Sequence, residues 1–186
     1  MKILVMTFLV FSAHIAGQTK LKLIFMASDS TTVSEKNEYD SIWSSESKKI
    51  VRTMERISGM NFIDTLVMVN VVDMPSNSGG TGTPMRLRSS YPTLIKQGTL
   101  IHELGHRLHF CLQRRTKDFN DHELLFLYLY DVWLDLYGEE FAQLQINAEN
   151  KRSNKTNNYK EMWEKALKLG ADGRKIKLKQ MVESQK

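Results

Sequence analysis

Residues 99–110 read Thr-Leu-Ile-His-Glu-Leu-Gly-His-Arg-Leu-His-Phe, a stretch that sets three ionisable side chains among apolar ones. Its apolar side chains recur at helical spacing and predict a helix embedded in the core: Leu100, Ile101, Leu104 and Leu108. His102, Glu103 and His106 would be costly to bury in that helix without partners. Gly105 would let a neighbouring segment approach the helix closely. The stretch therefore predicts a core helix with a functional cluster on one face.

The spacing of the two histidines has a chemical reason. Residues four apart lie on the same face of a helix, one turn from each other. His102 and His106 can therefore hold one zinc ion between them, each at about 2.0–2.1 Å. Glu103 leans toward the same site, where it can take a proton from a zinc-activated water. We predict a Zn²⁺ site with His102 and His106 as metal ligands and Glu103 as the catalytic residue.

A catalytic zinc ion also needs a third protein ligand and an open position for water. Asp131, Asp135 and Glu139 follow one another at intervals of four in a very apolar predicted helix, so they share one face of it. One member of this acidic stripe can bind zinc, and another can hold the far nitrogen of a zinc-binding histidine. We expect Glu139 to be the third ligand; Glu140, Asp135 and His122 are the alternatives.

Other side chains near the motif have secondary roles in this interpretation. His109 lies seven residues after His102 and roughly shares its face, so we expect it near the site as a supporting residue rather than a ligand. Tyr128, Tyr130 and Tyr137 are candidates for donating a hydrogen bond to a tetrahedral oxyanion, and the sequence does not choose among them.

The order of predicted elements is strands first and helices later. Alternation of apolar and polar residues predicts strands over residues 21–25 and 84–90, and richness in Val and Leu predicts a buried strand over 65–72. A glycine-rich loop is expected over 76–83. Helical periodicity predicts helices over residues 35–57, 93–114, 122–147 and 159–169, two of which end at a glycine. This order predicts an α+β domain with a small mixed sheet, followed by the active-site helix and further helices.

Length and composition are those of a globular chain. The protein has 186 residues, of which 41% are hydrophobic and 25% are charged, so neither a disordered chain nor a membrane bundle is expected. We assign residues 19–150 to one domain and residues 151–186 to a basic helical C-terminal segment. That segment holds eleven Lys and Arg against four Asp and Glu, but few aromatic residues accompany them, so no nucleic-acid partner is expected.

The N-terminal residues resemble a secretory signal. Lys2 precedes an apolar run over residues 3–13 and small residues follow it, so residues 1–18 predict export; otherwise the protein would be cytoplasmic. The run is short for a membrane span, and no integral membrane segment is expected. Cys111 is the only cysteine, which rules out an intrachain disulfide and fits a reducing compartment without excluding export.

The five residues 102–106 resemble the active-site helix of the zincin metallopeptidases, and only this motif of the resemblance is specific. The gluzincin branch takes a glutamate ligand from a later helix, often as E-x-x-A, and Glu139 with Ala142 matches that pattern. The metzincin and aspzincin patterns do not fit, because Leu112 and Leu134 stand where ligands are required. The resemblance implies a zincin-like fold, zinc, and hydrolysis of a peptide or protein substrate. The alternative is a non-catalytic zinc-binding regulatory or interaction module of the same fold.

Overall fold

The computed structural model describes residues 21–112, 119–153 and 158–185. The predicted export signal at residues 1–18 lies outside these ranges. The described part is an α+β arrangement dominated by helices, as the sequence predicts. None of its helices combines the length and the hydropathy that a membrane span requires.

Three short strands form one sheet in the order β1, β2, β3. They are β1 (Lys22–Ala27), β2 (Leu66–Val72) and β3 (Met85–Arg88), with β3 at an edge of the sheet. Both strand pairings are parallel, so the expectation of a mixed sheet is wrong. Parallel neighbours need a long return connection, which a helix supplies between β1 and β2 and the twelve residues 73–84 supply between β2 and β3. An isolated antiparallel bridge joins Asn77 to Arg86.

The described residues also form six α-helices. They are α1 (Val33–Ser58), α2 (Thr93–Leu108), α3 (Asp121–Tyr137), α4 (Glu139–Asn150), α5 (Tyr159–Lys168) and α6 (Gly170–Ser184). Gly59 ends α1 in the left-handed conformation at φ 69°, as a C-terminal glycine is expected to do. The α-helical part of the motif helix stops at Leu108 and continues as a short 3₁₀ turn, so α2 is shorter than predicted.

The continuous helix predicted over residues 122–147 is wrong at Gly138. This glycine has φ 86° and ψ 176°, which no helix accommodates, and it ends α3 and precedes α4. Glu139 is therefore the first residue of a new helix. Because the helix axis is interrupted between them, Glu139 does not extend the acidic face that carries Asp131 and Asp135.

The motif helix α2 is the most deeply placed helix of the fold. Every residue from Gly98 to Leu108 is buried, and the helix packs against α1, α3, α4 and β3. A side chain at Gly105 would collide with Leu125 and crowd the hydroxyl of Tyr128, both from α3. Gly105 thus permits a close approach of α3, as expected from its place in the motif.

The basic C-terminal helices α5 and α6 both pack on α3. Trp163 of α5 stacks on Phe126 with 4.0 Å between ring centroids, and its side chain is buried. Arg174 of α6 is buried and forms two hydrogen bonds with Asp131, at 3.0 and 2.6 Å. These two helices therefore complete the core around α3.

A buried ion pair joins α1 to α2. Lys96 is almost fully buried, and its ammonium donates a hydrogen bond to the carboxylate of Glu38, whose side chain is 29% exposed. Burial acts to raise the pKa of Glu38, but the hydrogen bonds of Lys96 and Thr93 and the charge of Lys96 outweigh it and hold that pKa below its ordinary value.

We predict that Glu38→Gln lowers the free energy of unfolding by about 2 kcal/mol at pH 7, because the charge of Lys96 stays buried without its partner. Since the pKa of Glu38 is lowered on folding, the pair stabilises the fold at neutral pH and loses its effect as the pH falls through that pKa. Urea unfolding at pH 7 and at pH 3 measures both effects, and the difference between wild type and variant should shrink at pH 3.

The matched control is Asp40→Asn, which breaks the pair between Asp40 and Lys36 on the same helix; the side chain of Lys36 is 25% exposed, against 5% for Lys96. Exposed pairs at this spacing contribute about 0.3–0.5 kcal/mol. If the two variants cost the same, the buried pair does not hold α1 on α2.

Candidate metal centre

A cleft of about 600 Å³ lies over the polar face of α2. His102, Glu103 and His106 line it together, as their spacing on one helix predicts. His122, in the first turn of α3, lines the same cleft. The structure thus brings a third histidine to the pair.

The three imidazoles form one compact group. Nε2 of His102 lies 3.1 Å from Nε2 of His106. The ring centroid of His122 lies 5.6 Å from that of His102 and 4.6 Å from that of His106. One nitrogen from each ring lies within 4.8 Å of the other two.

This donor set fits a zinc ion. Two nitrogens at about 2.0–2.1 Å from a tetrahedral ion lie about 3.3 Å apart, close to the 3.1 Å between His102 and His106. Burial, reinforced by the charges of the two neighbouring histidines, lowers the pKa of His122 to about 3. A metal binds the neutral form of imidazole, so His122 is in the form that a ligand requires. Three protein ligands would leave a fourth position for water.

A buried carboxylate orients His102 from behind. Nδ1 of His102 lies 2.5 Å from Oε1 of Glu149, in α4, so this nitrogen donates and leaves Nε2 to face His106. The other oxygen of Glu149 accepts a 2.7 Å hydrogen bond from the indole of Trp163. Burial acts to raise the pKa of Glu149, but the charge and hydrogen bond of His102 outweigh it and lower that pKa. An ionised carboxylate on the far nitrogen is the usual support of a metal-binding histidine.

Asp121 supports the second imidazole in the same way. Its two oxygens lie 2.5 Å from Nδ1 of His106 and 2.5 Å from Nδ1 of His109. Burial acts to raise the pKa of Asp121, but the hydrogen bonds from both histidines outweigh it and hold that pKa well below its ordinary value. Nε2 of His109 is 3.0 Å from the hydroxyl of Tyr128, which donates to the carbonyl of Gly105. His109 therefore lies behind the site, in the supporting role expected for it.

His106, His109 and Asp121 form a second group whose donor atoms are close enough for a metal ion. His109 is fully buried, and both of its ring nitrogens are already in contact with Asp121 and Tyr128. This second group is therefore a hydrogen-bonded support, whereas His102, His106 and His122 turn toward the cleft.

Glu103 is a buried carboxylate at the cleft. It is 6% exposed, and burial raises its pKa to about 7, although the positive charges of His102 and Arg152 act in the opposite direction. A carboxyl group of this kind can both take and return a proton near neutral pH.

No family model, curated protein or solved structure matches this chain. Its function is therefore inferred from the chemistry of the cleft. The resemblance to zincins continues to rest on residues 102–106.

The structure places Glu139 away from the three histidines. Glu139 and Glu140 line a separate surface depression at the start of α4, and neither lines the cleft. The interruption at Gly138 is the reason, because it removes Glu139 from the face of α3. Asp135 forms an ion pair with Arg56 at 2.7 Å, so the acidic stripe makes structural contacts elsewhere. Of the four candidates for the third ligand, the structure brings His122 to the histidine pair.

The three tyrosines considered as hydrogen-bond donors also lie elsewhere. Tyr128 is buried behind α2, Tyr137 donates to Glu46, and the ring of Tyr130 lies under the guanidinium of Arg174. Tyr91 and Tyr159 line the cleft instead.

Sequence reasoning missed the residues that support the histidines. Asp121 carries a local signal, because it lies directly beside His122 in a polar stretch that starts a helix. Glu149 carries no such local signal. It lies 47 positions after His102, at a helix end where several polar residues surround it.

We predict that the protein binds one zinc ion per chain and that His122→Ala abolishes tight binding. Loss of a ligand should cost more than the roughly 10- to 100-fold that is typical for losing a residue that only orients a ligand. Glu139→Ala is the matched control and should bind zinc as the wild type does. Competition with a chromophoric chelator measures both affinities, and the reverse ranking would restore Glu139 as the ligand.

Proposed function

We propose that this protein is a zinc-dependent peptidase of zincin-like fold, with His102, His106 and His122 as the metal ligands. The observation that carries the proposal is the buried carboxylate of Glu103 in the same cleft as three convergent imidazoles. A site that only stored zinc would gain nothing from burying an additional carboxyl group beside it, because burial of that group costs free energy. A hydrolase needs such a group as its base.

Different residues of the chain have different roles in the proposed hydrolysis. A zinc ion bound here supplies a Lewis acid that polarises a carbonyl and acidifies water. Glu103 accepts the proton of the attacking water and later donates it to the leaving amine. Glu149 and Asp121 keep His102 and His106 in the tautomer that leaves Nε2 free for the metal.

Tyr159 is the side chain that we assign to the developing oxyanion. It lines the cleft, is half-buried, and its ring centroid lies 4.9 Å from that of His122. A phenol at this place can donate a hydrogen bond to an oxygen that becomes negative during attack. It replaces the three tyrosines that the sequence offered for this role.

We predict that Glu103→Gln keeps stoichiometric zinc and loses peptide hydrolysis. The amide has nearly the shape of the carboxyl group but cannot accept the proton, so kcat should fall by a factor of about 10² or more. Hydrolysis of a quenched-fluorescent peptide library by the zinc-loaded protein measures turnover, and metal analysis of the same sample measures zinc.

Glu123→Gln is the matched control, because Glu123 is exposed in the same turn as His122 and does not line the cleft. It should retain full activity. A Glu103→Gln variant with wild-type turnover refutes the role of this residue. A wild-type protein that holds zinc and cleaves nothing in the library would instead favour the zinc-binding interaction module.

A further inference from the structure

Two guanidinium groups stand on one wall of the cleft. Arg88, at the end of β3, and Arg152, just after α4, both lie against the ring of Tyr91. Their guanidinium carbons are 5.5 and 5.7 Å from the ring centroid. All three side chains line the cleft together with His102 and Glu103. The aromatic ring therefore fixes two positive charges beside the candidate metal centre.

The charge of Arg152 is incompletely paired. Its polar contacts with the described residues are long: Nη1 lies 3.4 Å from the hydroxyl of Tyr91, and Nη2 lies 3.7 Å from Oε1 of Glu149. Glu149 already accepts closer hydrogen bonds from His102 and Trp163 on its two oxygens. The side chain of Arg152 is 34% exposed, so its donors remain available to a molecule in the cleft.

Arg88 is held at one end and available at the other. Its Nε donates to the hydroxyl of Ser90 at 3.0 Å and lies 3.4 Å from Asp73. Its two terminal amino groups form no hydrogen bond with the described residues, and its side chain is 39% exposed. The fork of a guanidinium matches a carboxylate with two parallel hydrogen bonds.

Arg152 lies close to the candidate metal centre. Arg152 and His102 both approach Oε1 of Glu149, at 3.7 and 2.5 Å, so Nη2 of Arg152 lies at most about 6.2 Å from Nδ1 of His102. That limit is less than the length of two residues of extended peptide, which is about 6.6–7.2 Å. Besides Glu103, the acidic side chain that lines the cleft is Asp121, and its two oxygens are occupied by His106 and His109.

We propose that Arg152 and Arg88 form a carboxylate subsite, which selects peptides that carry a carboxylate within about two residues of the scissile bond. The proposal rests on the peptidase function proposed above and names its substrate class. The carboxylate can be the C-terminus of the peptide or an acidic side chain. Arg152 is the principal specificity-determining residue, because its charge has the weaker partners within the protein.

Matched peptides test the subsite and distinguish its two sources of carboxylate. Acetyl-Ala-Ala with a free C-terminus is compared with its C-terminal amide, and acetyl-Ala-Glu-Ala-amide is compared with acetyl-Ala-Gln-Ala-amide. In the zinc-loaded wild type, kcat/KM for the charged member of at least one pair should exceed that of its neutral partner by about tenfold or more. The pair that shows the preference identifies the carboxylate.

Arg152→Gln should reduce this ratio to near one, mainly through KM, and Arg152→Lys should keep part of it because the charge remains without the fork. Arg52→Gln is the matched control, since Arg52 is exposed on α1 and does not line the cleft. It should keep the wild-type ratio. The subsite is refuted if the wild type cleaves both members of each pair at equal rates, or if Arg152→Gln leaves the ratio unchanged. Neither result contradicts the proposed peptidase activity.

A binding measurement separates the subsite from the peptidase. Calorimetry of the same four peptides with the Glu103→Gln protein should show tighter binding of a charged member, and Arg152→Gln in that background should remove the difference. If the wild type cleaves no peptide but this difference is present, the peptidase is refuted and the carboxylate site stands. If the four peptides bind alike, the carboxylate site is refuted whatever the turnover.

Discussion

The close packing of α2 on α3 at Gly105 is the constraint on which the candidate site depends. The missing side chain there lets Leu125 and Tyr128 reach the backbone of α2, and the hydroxyl of Tyr128 donates to the carbonyl of Gly105 itself. This contact sets the distance between the two helices. It thereby brings the first turn of α3, with Asp121 and His122, alongside the histidines of α2.

Around this contact, the buried polar groups support one another. Each histidine of the motif gives one nitrogen to a carboxylate and keeps the other for its neighbours in the cleft. The carboxylates have further partners in Trp163 and His109. Because every member of such a network is hydrogen-bonded, the desolvation cost of burying it is offset, and the imidazoles are held in one orientation. Glu103 differs, since it makes no hydrogen bond with a described side chain and lies at the cleft.

The sequence predicted what depends on local pattern and missed what depends on distance. The type and approximate limits of α1 and α2 follow from the spacing of their apolar residues and from the glycine after α1. Those of β1 and β3 follow from alternation, and those of β2 follow from its run of apolar residues. The pair His102 and His106, with Glu103, follows from the helical period alone. The parallel pairing of β3 with β2 could not be predicted, because residues 73–84 contain no helix, which is the usual sequence signal of a parallel connection.

The third histidine shows the limit of periodicity most clearly. An unbroken helix from residue 122 would have given Glu139 a place on the acidic face, but Gly138, with φ 86°, interrupts that helix. His122 could be considered from the sequence but not selected, because its approach to His106 depends on how α3 packs on α2.

The hydrogen bonds from His102 through Glu149 to Trp163 also set when, during synthesis of the chain, His102 can reach its final orientation. The ribosome synthesises His102 and His106 before residue 149, and Trp163 follows later still. Until those residues emerge, the nascent chain has its histidines without the carboxylate and the helix that orient them. The candidate metal centre can therefore form only after α4 and α5 have been synthesised, although neither helix contributes an imidazole.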